Sequence, residues 1–258
     1  MLGSDSWDDY WRNLRLPVEV SKGESLYIDA ITDVLDRYLC GDRRLSVLEI
    51  GGAPGQYAAY VWRRFGHDVA VLDNSAIGCT KARENFELLG ISAPVYEADM
   101  FAQPARLFDV VYSLGVIEHV ATKMGLVAMI AGHLEHLRPG GLLIVGCPNF
   151  RGLNRLFARR LSPSFLAIHN LNVMAASTWD EFEETLDLER LFRGYVGGFE
   201  PSMFWRRERD RFSDRVLRRG LFISAKVFGS RRLRVLRKIN SGAWGGFLLG
   251  VYRSPSSG

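Results

Sequence analysis

A glycine-rich turn between two apolar stretches is the first part of the sequence whose residue types could bind a ligand. The turn follows residues 45–50 and consists of small residues, Gly51, Gly52, Ala53, Pro54 and Gly55. Glycines in such a turn let a ligand approach the backbone, because a β-carbon would collide or forbid the required dihedral angles. A dinucleotide-binding turn has the pattern G-x-G-x-x-G, and here Gln56 occupies its last position. The turn therefore does not match the usual dinucleotide pattern.

Two acidic residues accompany the turn and change its interpretation. Read as E-x-G-x-G-x-G, the stretch places Glu49 two residues before Gly51, with Ala53 as one small replacement. Asp73 ends the next apolar stretch, 18 residues after Gly55. A carboxylate at that position can accept hydrogen bonds from both ribose hydroxyls of a bound nucleoside. The turn and the acid together indicate a nucleoside ligand.

This combination resembles the first motif of the class I S-adenosylmethionine-dependent methyltransferases. The resemblance covers roughly residues 25–150 and includes the later segments "YEADMF", "FDVVYSLGVIEHV" and "LRPGGLLIVGCPN". It implies S-adenosylmethionine as the cofactor, which has no pyrophosphate and whose ammonium and sulfonium charges favour nearby acids. The cofactor-binding residues that it implies are Glu49, Gly51, Gly52, Ala53, Gly55, Asp73, Asn74, Asp99, Met100 and Ser113.

Two histidines are the candidate catalytic residues. His119 follows the predicted fourth strand, and a histidine there can accept a proton at neutral pH because its ordinary pKa is about 6.5. The alternative is that His119 only binds backbone or shapes the cofactor pocket. His169 lies in the irregular segment after the fifth strand, a region that often covers the acceptor pocket in this fold, and its alternative role is to anchor a loop.

A metal site is not expected at this position. The chain is similar to quinone-biosynthesis methyltransferases, in which a further glutamate precedes the Glu-His pair by three residues and metal binding is attributed to the trio. Here the pair is Glu118 and His119, and Gly115 occupies the position of that glutamate. The three cysteines have no spacing typical of zinc sites or disulfides.

The elements that must position these residues follow from the periodicity of the apolar residues. Residues 25–40 have a helical pattern, and Pro139 with the two glycines after it is expected to end a later helix. Short apolar runs predict strands at 45–50, 68–73, 93–98, 108–114, 141–147, 191–199 and 246–253. Strands alternating with helical segments indicate an α/β protein with a parallel sheet covered on both faces.

The fold class is therefore a Rossmann-like, doubly wound sheet. The resemblance implies seven mostly parallel strands with an antiparallel final strand. We expect a single domain over residues 1–258, in which 1–44 form a helical cap, 45–150 the cofactor-binding core, and 151–258 the substrate-side insertions and last strands. Trp7, Tyr10, Trp11 and Tyr27 either form a lid over the cofactor or cap the sheet.

The charge of the chain is unevenly distributed. The net charge is +4, but residues 206–238 contain thirteen basic and three acidic residues, a local +10 that leaves −6 elsewhere. This basic segment could contact an anionic lipid, a phosphorylated carrier or RNA. Phe212, Val216, Leu217 and Leu221 predict an amphipathic helix with arginines around it. The preferred interpretation of the segment is a solvated insertion in an arginine-rich protein.

The sequence does not identify the methyl acceptor. We expect transfer to oxygen or nitrogen of a small molecule such as a sugar, a glycan precursor or a secondary metabolite. An RNA methyltransferase that uses the basic segment and a non-catalytic binding module are the alternatives, and nucleic acid is not the expected partner. No apolar run approaches the roughly 18 residues that span a bilayer. The expected location is the cytoplasm, with the membrane surface as a candidate contact.

Overall fold

A seven-stranded sheet lies at the centre of the part of the chain that the computed structural model describes, residues 10–23, 25–102, 106–199, 211–228 and 240–256. The strands are β1 (Ser46–Ile50), β2 (Asp68–Asp73), β3 (Val95–Glu97), β4 (Phe108–Leu114), β5 (Leu137–Pro148), β6 (Glu189–Val196) and β7 (Phe247–Arg253). Their order across the sheet is β3-β2-β1-β4-β5-β7-β6.

The direction of the strands confirms the predicted architecture. Strands β1 to β5 pair in parallel, whereas β7 is antiparallel to both of its neighbours, β5 and β6. Val251 of β7 is paired with Ile144 on one side and with Phe192 on the other. The sheet is therefore mostly parallel and its final strand is antiparallel, as expected.

Helices cover both faces of this sheet. Those in the described residues are α1 (Leu26–Leu39), α2 (Gln56–Phe65), α3 (Ala76–Leu89), α4 (Lys123–Glu135), α5 (Gly152–Leu161), α6 (Pro163–Ala167), α7 (Asp180–Thr185) and α8 (Phe212–Phe228). Short 3-10 helices span Ile117–His119 and Ala176–Trp179. Helix α1 confirms the helix predicted within residues 25–40. Its N-cap is Ser25, whose hydroxyl accepts a hydrogen bond from the Ile28 amide.

The core consists of two apolar layers, one on each face of the sheet. Alternating residues of a strand face opposite sides, so Val47 packs in the layer that includes α1, α2 and α3. Leu48 packs in the other layer with residues of α4 and α7. Because both faces of the central strands are buried, these strands are continuously apolar in sequence.

Strand β5 begins earlier than the sequence predicts, and its start corrects the role of Pro139. Helix α4 ends at Glu135, and the chain enters β5 at Leu137, opposite Phe108 of β4. Pro139 therefore lies inside the strand and does not end the helix. It is tolerated there because the register between β4 and β5 shifts at this point, where a missing amide donor breaks no regular pairing.

None of the helices in the described residues has both the length and the apolar character needed to cross a membrane.

Candidate active site

The glycine turn after β1 depends on two glycines. Gly51 and Gly55 have φ angles of 64° and 83°, a region that glycine adopts without strain. A β-carbon on Gly51 would collide with the side chain of Val116, and one on Gly55 would lie 2.6 Å from the Phe86 ring. The turn therefore needs glycine for its backbone conformation and for its close contacts with the loop after β4 and with α3.

Glu49 is buried at the end of β1 and caps helix α2. Its Oε2 atom accepts hydrogen bonds from the Ala58 amide at 2.9 Å and from the Tyr112 hydroxyl at 3.0 Å. Gly55, the N-cap residue of α2, has no side chain for this purpose. Burial raises the pKa of Glu49 to about 8. The sequence did not predict this structural role, and cofactor binding by Glu49 stays a prediction.

Asp73 connects the glycine turn to the start of α3. Its Oδ2 accepts a hydrogen bond from the Ala53 amide at 3.2 Å and its Oδ1 one from the Ser75 amide at 2.9 Å. Burial raises the pKa of Asp73, and the backbone amides act in the opposite direction. Asn74, the next predicted cofactor residue, is exposed. The carboxylate thus lies beside the turn, at the carboxyl end of β2, and its contact with a ribose stays a prediction.

Trp11 contributes an aromatic ring to the same edge of the sheet. It is buried, and its Nε1 atom lies 3.1 Å from the position that a β-carbon of Gly78 would occupy, close to Ala53. Tyr27 instead stacks on Phe247 of β7, with ring centroids 6.5 Å apart. Trp11 therefore packs beside the glycine turn and the start of α3, and its role as a lid over the cofactor stays a prediction. Tyr27 covers the sheet, and Trp7 lies outside the described residues.

The three remaining predicted cofactor residues lie in different surroundings. Asp99 is exposed, and its carboxylate accepts a hydrogen bond from the Phe101 amide at 2.9 Å. Met100 is buried in the core. The Ser113 hydroxyl is fully buried and lies 2.8 Å from His133 Nε2. Asp99 is thus the most accessible of the three, and the cofactor contacts of all three stay predictions.

The structure brings His119 and His169 together, although 49 residues separate them in the sequence. Their ring centroids are 4.9 Å apart. Asn170 holds the two segments in place, because its amide donates to the Glu118 carbonyl at 2.8 Å and its side chain donates to the Val120 carbonyl at 2.9 Å. The loop after β5 is thereby fixed against the turn after β4.

Backbone carbonyls determine the orientation of both imidazoles. Nδ1 of His119 lies 3.2 Å from the Ile168 carbonyl, and Nδ1 of His169 lies 2.6 Å from the Phe165 carbonyl. A carbonyl oxygen only accepts, so Nδ1 carries the proton in each ring and Nε2 is the basic nitrogen. Burial lowers the pKa of His119 below its ordinary value. The ring is therefore neutral at pH 7 and can accept a proton.

Glu118 completes a cluster that the sequence did not reveal. Its side chain is buried, burial raises its pKa to about 8, and Oε1 lies 3.9 Å from His119 Nε2. One ligand atom each of Glu118, His119 and His169 lies within 4.8 Å of the others. The expectation of no metal site at this position rests on Gly115, which replaces a glutamate and forms a turn with a φ angle of 92°. That expectation does not include His169. His169 is far from Glu118 and His119 in the sequence, and only the fold brings the three side chains together.

Helix α8 lies in the described part of the basic segment and confirms the predicted helix. Only part of its predicted apolar face is buried. Leu221 is buried, whereas Phe212 and Val216 are 74% and 54% exposed. The fully buried Asp214 forms an ion pair with Arg160 at 2.7 Å and attaches the helix to α5. Residues 206–210 and 229–238 lie outside the described residues.

Comparison with known families identifies the class of this protein. A family model described as "Methyltransferase domain" matches residues 20–189, and the chain belongs to this family. It is a class I methyltransferase, an enzyme whose cofactor is S-adenosylmethionine. A turn without β-carbons at Gly51 and Gly55, with the Asp73 carboxylate beside it, suits the close approach of such a ligand to the backbone. No curated protein matches the sequence.

Solved structures share the fold at low sequence identity. The N-methyltransferase NodS from Bradyrhizobium japonicum WM9, in complex with S-adenosyl-L-homocysteine, is 15% identical, with a TM-score of 0.59 over 98% of this chain and 99% of that chain. The [4+2]-cyclase SpnF is 15% identical, with a TM-score of 0.64 over 98% and 96%. PH0226 from Pyrococcus horikoshii OT3 is 14% identical, with a TM-score of 0.58 over 95% and 98%.

Proposed function

We propose that this enzyme transfers the methyl group of S-adenosylmethionine to an oxygen or nitrogen of a small molecule, such as a sugar, a glycan precursor or a secondary metabolite. The observation that carries this proposal is the pair of imidazoles, His119 and His169, beyond the carboxyl end of β4. A neutral imidazole at this end of the sheet, with a second one beside it, suits an acceptor that loses a proton when it is methylated.

The surroundings of the pair favour a small acceptor. The rings of Phe150 and Phe165 contact His169, with centroid distances of 5.1 and 4.5 Å. The loop after β5 is further fixed by Trp179, whose indole donates to the Val173 carbonyl at 2.7 Å. Aromatic rings around the candidate base, beside a fixed loop, suit the recognition of a compact ligand. NodS, which shares the fold, is an N-methyltransferase.

The reaction places one demand on the protein beyond positioning. As the bond between the acceptor atom and the methyl carbon forms, the bond between that carbon and sulfur breaks, and its electrons neutralise the sulfonium. The acceptor's proton must leave, and we assign it to Nε2 of His119, with His169 as the second candidate base. Most of the rate comes from holding the acceptor in line with the methyl group.

A methyl-transfer assay with two matched variants tests this function. Wild-type protein, cofactor and a panel of sugars, glycosides and amines are incubated, and methylated products are detected by mass spectrometry. His119→Ala should lower kcat on the best acceptor by about 10²-fold or more, because it removes the base. Calorimetric binding of S-adenosylmethionine should be retained in His119→Ala and lost in Asp73→Ala.

The assigned base and the proposed substrate class can be contradicted separately. Full activity of His119→Ala and of His169→Ala would remove the assigned base and leave the methyltransferase itself intact. Methylation of RNA with none of the small acceptors would replace the proposed substrate class.

A further inference from the structure

We infer that Glu118, His119 and His169 form a binding site for a divalent transition-metal ion. Two imidazole nitrogens and a carboxylate suit Zn²⁺, Co²⁺ or Fe²⁺ better than Mg²⁺ or Ca²⁺, which prefer oxygen ligands. The inference concerns the binding of an ion, and it does not depend on which acceptor is methylated.

The first support is the convergence of the three side chains. They come from the 3-10 helix after β4 and from the loop after β5, and one ligand atom of each lies within 4.8 Å of the others. Ligands of a bound zinc ion lie about 2.0–2.3 Å from it and so about 3–4 Å from one another. Small side-chain rotations would therefore bring these three into coordinating positions.

The second support is the way in which the imidazoles are held. Metal-binding histidines commonly donate their other ring N–H to a backbone carbonyl or a carboxylate, which fixes the tautomer and the orientation of the ring. Both His119 and His169 do so through Nδ1, to the carbonyls of Ile168 and Phe165. In each ring, Nε2 thus has its lone pair in the tautomer that an ion requires.

The third support is the carboxylate of Glu118. The residue is 1% exposed, and within the described part of the chain its Oε2 atom has no hydrogen-bond partner. A buried carboxylate oxygen without a donor is costly, since the group has lost its hydration without compensation. Its other oxygen, Oε1, already faces His119 Nε2 at 3.9 Å. A cation between the side chains would supply the missing interaction.

Three protein ligands would leave at least one coordination position open. Structural zinc sites usually have four protein ligands, whereas sites with three keep a position for water or substrate. A hydroxyl bound there loses its proton more readily, which is the task that the His119 imidazole has in the protein without metal. The ion and the proton therefore compete for the same nitrogen.

Metal binding is tested on the full chain, freed of metal by chelation. Co²⁺ is titrated while its visible absorption is recorded, and Zn²⁺ binding is measured by calorimetry. We expect one ion per chain, and at least tenfold weaker binding in Glu118→Gln and in His169→Ala. His67→Gln removes a histidine far from this cluster and is the matched control, which should bind as the wild type does.

The titration can overturn the inference in two ways. The absence of stoichiometric Co²⁺ and Zn²⁺ binding by the folded wild type would reject the site, and so would binding that Glu118→Gln and His169→Ala leave unchanged. If these variants do not fold, histidine ¹⁵N NMR of the wild type decides, because Zn²⁺ must shift the Nε2 signals of two of the five histidines. Methyl transfer that continues in a chelator, with no ion bound at any concentration, would reject the metal site and keep the proposed function.

Discussion

Buried polar residues of this enzyme form hydrogen bonds that hold the strands and helices around the site in position. Glu49 is the clearest case, since the acid that the sequence assigns to the cofactor is also the cap of α2 and a partner of Tyr112. His133 is another, because its ring joins Ser113 of β4 to the Met129 carbonyl of α4. Such groups fix the ends of the strands where the cofactor binds.

His133 makes the stability of the enzyme depend on pH. Burial lowers its pKa to about 4, whereas in the unfolded chain the ordinary value of 6.5 applies. Between these values the unfolded state binds more protons, so the stabilisation that is present above pH 6.5 is lost as the pH falls through 4, by roughly 3 kcal/mol in total. The raised pKa values of Glu49 and Glu118 act in the opposite direction over this range, so urea unfolding at pH 7 and pH 4.5 reveals the loss only as a difference between the wild type and a variant without His133.

The variant His133→Gln isolates that contribution. Glutamine keeps an acceptor for the Ser113 hydroxyl but does not titrate, so its free energy of unfolding should fall less between pH 7 and pH 4.5. Ser113→Ala is the control, since it removes the hydroxyl and keeps the imidazole. Equal pH dependence in the wild type and in His133→Gln would show that His133 does not contribute.

Among the elements of the fold, the loop after β5 contributes His169 to the candidate active site. Asn170 attaches this loop to the turn after β4 through three hydrogen bonds, to the carbonyls of Glu118, Val120 and Ala121. The side chain also accepts a hydrogen bond from the Asn172 amide at 3.0 Å. The position of His169 therefore depends on its neighbour.

Removing the Asn170 side chain should loosen the loop. We expect Asn170→Ala to lower the free energy of unfolding by about 1–2 kcal/mol, because it leaves carbonyls without their donor. It should also lower kcat more than the affinity for S-adenosylmethionine, since its hydrogen bonds hold the loop to the turn after β4, which contains the candidate base. Asn172→Ala is the control, because Asn172 is exposed and its hydrogen bonds in this loop come from its backbone. Equal effects of the two substitutions on stability and rate would contradict this role.

The sequence predicts the bounds of the strands and helices better than it predicts which side chains meet at the site. Strands such as β2 and β4 match their apolar runs residue for residue, because strands buried on both faces have an unbroken apolar pattern. Strand β5 was misjudged at Pro139, where a register shift accommodates the ring. The meeting of Glu118 with His169 could not be predicted, since it depends on a loop that has no periodic pattern.

At the scale of the whole molecule, the positive charge is concentrated in one segment. Residues 206–238 have a net charge of +10, and helix α8 exposes Phe212, Val216 and Ile223 along one side, at a spacing that also includes the exposed Arg219. Helices that lie on anionic membrane surfaces combine an exposed apolar face with basic residues on their polar face. The exposure of these residues fits both a solvated insertion and a contact with an anionic membrane surface, and the membrane contact stays a prediction.

Vesicles with and without anionic lipid test this contact. We expect binding to vesicles that contain phosphatidylglycerol, binding that weakens as salt rises, and a loss of roughly fivefold in Arg219→Gln, since one arginine near such a surface contributes about 1 kcal/mol. Arg37→Gln, an exposed arginine of α1, is the matched control. Equal binding to neutral vesicles, or tight binding to RNA with none to lipid, would contradict the prediction.

The place of β7 in the sheet has a consequence for how the protein is made. Strand β6 pairs with β7 alone among the described strands, and β7 follows it by about 50 residues in the chain. The ribosome therefore synthesises β6 well before β7, the strand that lies between β6 and β5 in the sheet. Until then β6 has an unsatisfied edge, and the long-range pairing on which it depends is slow to form and exposed to aggregation. Synthesis of the last strand is thus the step at which the nascent sheet can close.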